Sequence, residues 1–280
     1  MQTLPSRRAV LKAAALSAAL FLTPGFFGGW TSSAPELWEG WEASNPKNAA
    51  PIDHSVWNRF LKKYVNADAT GLNRFAYAKV TSADRKALKG YIASLAKIEI
   101  TDRARNVQFA YWLNLYNALT INVVLEHYPV KSIRDIDISG LLANGPWGKA
   151  LIKIEDSDIT LDDIEHAILR PIWKDPRIHY GVNCASIGCP NLLNQAFTGK
   201  NVNALLDKAA RAYVNHPRGL SVRNGKVTVS KIYQWFAYDF GNSEKGVIRH
   251  LAKYATPERA AALKKAGKIS ETVYDWSINE

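Results

Sequence analysis

Residues 104–126, ARNVQFAYWLNLYNALTINVVLE, decide the fold. At about 100° per residue, Phe109, Trp112, Leu115, Leu119, Val123 and Val124 fall on every side of the helix this stretch would form. Such a helix has no solvent face, so the rest of the chain must wrap it, and it is expected to be central. Asn114 and Asn117 share one face with Ala110, Ala118 and Ile121, which places two amides against the core. Buried amides need partners. They either hydrogen-bond neighbouring backbone or orient a catalytic side chain.

Working outward, Ala83 to Leu95 reads as a surface helix with Ser82 as N-cap. Thr160-Leu161-Asp162-Asp163 opens another helix, with acidic residues in its positive first turn, and Arg170-Pro171 is expected to end it. The apolar stripe of that helix is Leu161, Ile164, Ile168 and Leu169, and Glu165 falls within the stripe. A carboxylate there must pair with a cation, accept several hydrogen bonds or have a raised pKa. His166 points to the edge of the apolar face. Ile178 to Val182 alternates as a short strand, which makes His179 its outward residue. Asn224-Gly225 marks a hairpin. Val202 to Tyr213, Ser230 to Tyr238, Ser243 to Tyr254 and Pro257 to Ala266 read as helices, and Val273 to Ile278 as a terminal strand. Helices outnumber strands without regular alternation. The fold class is therefore α+β, a predominantly helical single domain with a small, mainly antiparallel sheet.

Ser6-Arg7-Arg8 with Leu11-Lys12, then an apolar run from Ala13 to Leu22, reads as a twin-arginine export signal. The run is too short for a membrane span, which needs about 20 apolar residues. Small residues at Ser32 and Ala34 give residues 1–34 as signal peptide, and the expected location is the periplasm. Residues 35–51 read as a linker and 52–280 as the globular domain. The formal net charge of +11 becomes +8 once Arg7, Arg8 and Lys12 leave with the signal. The cations are scattered. A soluble cationic surface is one reading and an anionic envelope polymer as partner is the other. No recognition motif supports nucleic acid.

His179-Tyr180-Gly181-Val182-Asn183-Cys184-Ala185-Ser186-Ile187-Gly188-Cys189-Pro190 resembles the signature of the family known as domain of unknown function 547. Trp112 to Ala118, Asp163 to Arg170 and Tyr274 to Asn279 resemble it too, so the likeness spans most of residues 55 to 279. It implies no activity, and chemistry has to come from the residues.

Cys184 and Cys189 are the only cysteines. Three readings stand side by side. In the first, Cys184 is the thiolate of a cysteine-dependent hydrolase or acyl/amide transferase acting on an unknown substrate such as a peptide. His166 is then its base, Asn117, Asn114 or Glu165 orients the imidazole, and amides of the 183–188 turn form an oxyanion hole. In the second, the two cysteines form a structural disulfide in a binding or scaffold protein. In the third, His166, His179, Cys184 and Cys189 hold zinc or copper, although no short zinc spacing is present. Trp112, Trp235 and Trp276 read as core and cleft walls. Dinucleotide, phosphate-loop and serine-elbow motifs are absent, which takes most of the support from those enzyme classes.

Overall fold

A computed structural model describes residues 29–140 and 144–280. The twin-arginine reading rests on residues 6–22, which lie outside the described residues. The chain runs α1 (Ser55–Tyr64), the hairpin β1 (Val65–Ala67) and β2 (Asn73–Phe75), α2 (Ser82–Leu95) and α3 (Arg105–His127). A second hairpin follows, β3 (Ile152–Ile154) and β4 (Ser157–Ile159). A π-helix over Asp163–Leu169 then leads directly into α4 (Arg170–Trp173). Next come α5 (Ile178–Gly181), α6 (Val202–Val214), the hairpin β5 (Leu220–Arg223) and β6 (Lys226–Ser230), α7 (Ile232–Trp235), α8 (Glu244–Tyr254), α9 (Pro257–Ala266) and β7 (Glu271–Val273). The fold is α+β, largely helical, with small sheets that are antiparallel except where β7 joins β6 in parallel.

The 23-residue α3 is the axis, buried from Val107 to Ile121 without a break. Asn224 and Gly225 both take positive φ, as a two-residue hairpin turn of this twist requires. Residues 35–51, read as a linker, have no regular structure but lie on the core. Trp41 is buried and packs edge-on against Trp112 at 5.2 Å.

Four local expectations need correction. The N-cap of α2 is Thr81, whose hydroxyl accepts from the Asp84 amide, rather than Ser82. Pro171 does not end its helix: the wider i→i+5 turns before it already displace the local ladder, and the chain stays helical to Trp173, where Lys174 adopts a left-handed conformation. Residues 178–182 form a helical turn, not a strand. Asp175-Pro176 starts it, with the Ile178 amide donating to Asp175 O, and all of Ile178, His179, Tyr180 and Gly181 are buried. Apolar alternation over so few residues does not separate strand from buried turn. At the C-terminus the ladder is β7, while Ser277 and Ile278 make only isolated bridges to Ser132 and Ser186.

Candidate functional site

Asn117 builds the entry to the cysteine turn. Its side-chain NH2 donates to Gly181 O and its Oδ1 accepts from the Asn183 amide, both at 2.8 Å. Gly181 lets α5 approach that closely, since a Cβ there would stand 2.8 Å from Leu206 and 2.9 Å from Leu113. Asn114 brackets Phe197 in the same two-bond manner, at 2.8 and 3.0 Å. Both amides are therefore bonded to backbone, and neither orients His166.

After Asn183 the chain turns sharply. Ala185 takes φ 59°, a left-handed conformation that costs a non-glycine residue roughly 1–2 kcal/mol. The turn is held from both sides: Asn183 Oδ1 accepts from the Ala185 amide at 2.9 Å, and the Asn279 amide donates to Ala185 O at 3.0 Å. The C-terminal segment closes over the rest. Gly188 N donates to Asp275 O at 2.7 Å, and a Cβ at Gly188 would collide with that backbone.

This folding brings the two thiols together. The sulfurs of Cys184 and Cys189 are 2.7 Å apart, and both are free, against about 2.05 Å for a covalent pair. The Cys184 amide points at Cys189 Sγ at 3.1 Å. Tyr274 Oη lies 3.2 Å from Cys184 Sγ, 3.3 Å from Cys189 Sγ and 2.9 Å from Ser186 Oγ, and Ser186 Oγ is 3.2 Å from Cys184 Sγ. Cys189 is buried, while Cys184 is partly open. Burial opposes a thiolate at Cys189, but hydrogen bonds from Cys184, Tyr274 and the Cys184 amide outweigh it and hold its pKa below the ordinary thiol value. Cys184 is raised, first by its bond to Cys189 and then by burial. Hydrogen bonding therefore favours an anion on Cys189 over one on Cys184. Behind the turn Arg218 donates to Ile187 O at 2.8 Å and to Asn191 Oδ1. Its Nε is the one buried side-chain nitrogen or oxygen without a partner among the described residues.

Glu165 is buried in the apolar face, as its position on the helix requires, and belongs to a separate cluster. Its Oε1 is 3.4 Å from His179 Nδ1, and His179 Nε2 is 2.6 Å from Asp239 Oδ2, which also accepts from Arg170 Nε at 2.6 Å. Phe236 stacks on His179 at 4.3 Å and carries the Arg170 guanidinium 5.0 Å from its centroid. Burial works against the carboxylate at Glu165, yet His166, His179 and Arg170 hold its pKa at about 2. Asp239 is also held at about 2, against burial, by His179 and Arg170. Burial would lower His179, but Asp239 and Glu165 raise it above its ordinary value. Two carboxylates, one imidazolium and one guanidinium therefore balance.

His166 stands at the edge of this cluster. Arg170 Nη1 donates to its Nδ1 at 3.3 Å, so the neutral ring carries its proton on Nε2, 3.9 Å from Asp162 Oδ1. Burial, then Arg170, lower its pKa, with Glu165 opposing. His166 is not among the bonded partners of Cys184, and its acceptor nitrogen is occupied. The amides of Asn183, Cys184, Ala185, Ile187 and Gly188 all donate within the protein, so no adjacent pair is left for an oxyanion. The residues read as one Cys-His-Asn/Glu constellation are thus divided among separate sites. The zinc or copper set does not form either: both nitrogens of His179 face carboxylates, and no group of three His, Cys, Asp or Glu suited to a metal exists among the described residues.

Sequence reasoning missed Tyr274, Ser186, Asp239 and Arg170. The signal for Asp239 was a lone carboxylate inside Trp235-Phe236-Ala237-Tyr238-Asp239-Phe240. Tyr274 is joined by Trp235 at 4.8 Å and Trp276 at 4.7 Å, with Trp147 5.9 Å beyond Trp276, giving a half-buried aromatic wall beside the thiols.

Residues 100–214 match the family described as Protein of unknown function, DUF547. That stretch contains α3, Glu165, His179 and both cysteines, while Asp239 and Tyr274 lie beyond it. Neither the curated proteins nor the solved structures give a match to the chain. Among the described residues no helix is long and apolar enough to cross a membrane.

Proposed function

We propose that this chain is a thiol–disulfide exchange protein of the periplasm, in which Cys184 meets the partner and Cys189 is the sulfur that leaves and returns. The observation that carries the reading is the Cys189 sulfur, 2.7 Å from Cys184 Sγ and faced by both the Tyr274 hydroxyl and the Cys184 amide. A thiol whose anion is stabilised is a good leaving group, and a couple whose reduced form is stabilised is oxidising. The Arg7-Arg8 leader supports export to a compartment where disulfides persist.

From the oxidised pair, a partner thiolate attacks Cys184 Sγ. The Cys184–Cys189 bond breaks and its electrons leave on Cys189, held by Tyr274 and the Cys184 amide. A second thiolate of the partner then attacks the partner's own sulfur in the mixed disulfide, and Cys184 leaves and takes up a proton. The partner, a peptide or protein dithiol, loses two electrons and two protons, and another disulfide of the compartment reoxidises the pair. The aromatic wall of Trp235, Trp276 and Tyr274 offers apolar surface to such a chain.

The hydrolase or acyl/amide transferase reading uses the same half-open Cys184 as nucleophile, and one experiment separates the two. Cys189→Ser, incubated with a peptide dithiol and its disulfide, should accumulate a mixed disulfide on Cys184, whereas Cys184→Ser should trap little. An acyl adduct on Cys184 from an activated peptide ester, with no mixed disulfide formed, would overturn exchange in favour of acyl transfer.

A further inference from the structure

We infer that the groove between α8 and α9 is a docking surface for an anionic envelope glycopolymer, independent of the thiol pair. The concavity measures about 430 Å³ and is lined by Lys245, Ile248, Arg249, Ala252, Lys253 and Lys264, with Gly267 at its end. Lys245, Arg249, Lys253 and Lys264 are exposed. Among the described residues no carboxylate lines the groove or pairs with any of the four. The nearest acid in sequence, Glu244, instead accepts from the Ile269 amide.

The arrangement is directional. Positions 245, 249 and 253 recur every four residues on α8, so they form a row with steps of about 6 Å, and Lys264 faces them from α9. Ile248 and Ala252 supply an apolar floor. A row of charges over such a floor fits a polymer carrying its anions in series along a partly apolar backbone, better than one small, strongly hydrated ion.

Helix stability does not account for it. Lys253 and Lys264 lie in last turns, where cations favour the helix dipole, but Lys245 lies in the first turn of α8, where a cation opposes it. A second groove makes the contrast. It is lined by Arg85, Lys86, Lys89 and Glu126, and there Lys89 pairs with Glu126 at 2.8 Å and Arg85 donates to Leu125 O at 2.7 Å. Its cations are largely matched from within, whereas those of the α8–α9 groove face outward without a counter-charge.

The test compares wild type, Lys245→Glu/Arg249→Glu and Lys62→Glu/Lys86→Glu, binding to heparin as a sulfated-glycan probe across a salt series. The α8 variant should lose about tenfold in affinity or more and show a shallower salt dependence, while the control of equal charge change stays near wild type. Thermal melting checks folding, and Lys245→Glu removes an unfavourable dipole contact, so the variant should melt no lower than wild type. Equal losses in both variants would mean diffuse surface charge and overturn the inference. So would groove-dependent binding to single-stranded DNA or phosphatidylglycerol vesicles that is tighter than binding to heparin.

Discussion

Two buried polar clusters sit close in sequence and differ in what they leave open. Around His179 every charge is answered: Glu165 and Asp239 face one imidazolium, and Arg170 supplies the second positive charge. Around Cys184 two thiols, two hydroxyls and an amide converge, with no charged group among them. The first arrangement is charge-complete and resists change. The second has a partly buried thiol, Cys184, beside a sulfur whose anion hydrogen bonds favour. A perturbed histidine is a reason to suspect function, but here the perturbation belongs to an ion network whose charges answer one another, and the proposed chemistry is assigned to the thiols instead.

Breaking the charge-complete cluster should have the largest effect. Asp239→Ala leaves His179 and Arg170 without their shared carboxylate and should cost about 3–5 kcal/mol, read by denaturant unfolding. Glu165→Ala removes a more distant partner and should cost about 1–3 kcal/mol. If Asp239→Ala melts like wild type, the cluster does not hold the fold, and the contrast drawn above disappears.

Acid should sharpen the contrast more gently. Glu165 and Asp239 have lowered pKa values of about 2, so their contribution is present above the unfolded carboxylate range and is lost as pH falls towards 2. His179 is raised, so its contribution is full below 6.5 and fades as pH climbs through its folded value. His54 and His250 work the other way. Burial lowers each from 6.5 to about 4, so the unfolded state takes the proton first and stability falls between those values. Melting temperature should therefore decline on acidification from pH 6.5 to 4 in wild type, and less steeply in His54→Gln, whose amide keeps a polar group near Tyr91 without titrating. An equal slope in both would remove His54 from this account.

The sequence carried the scaffold further than the site. A helix apolar on all sides can only be central, so α3 and the burial of Asn114 and Asn117 were legible, as was the burial of Glu165 among Leu161, Ile164 and Ile168. The Asn-Gly hairpin and the start of the helix at Thr160 rest on local chemistry and were legible for that reason. The site was not, because its members meet across long separations: Tyr274 reaches Cys184 from 90 residues away, and Asp239 reaches His179 from 60. His166 and Cys184 had the right side chains for a catalytic pair, but Arg170, one helical turn on, occupies the imidazole's acceptor nitrogen. The wider turns of the π-helix over 163–169 were not legible, yet Ile164, Glu165, Ile168 and Leu169 are all buried as the stripe requires.

The measurement that bears most directly on the central claim is the reduction potential of the Cys184–Cys189 couple, obtained by equilibrating the folded protein in glutathione buffers and counting free thiols. An exchange-active pair should titrate in the range of known exchange proteins, about −120 to −270 mV, and Tyr274→Phe should shift it to a more negative potential by weakening the Cys189 thiolate. A wild-type potential below about −300 mV, unmoved by Tyr274→Phe, would identify an inert structural disulfide and contradict the account.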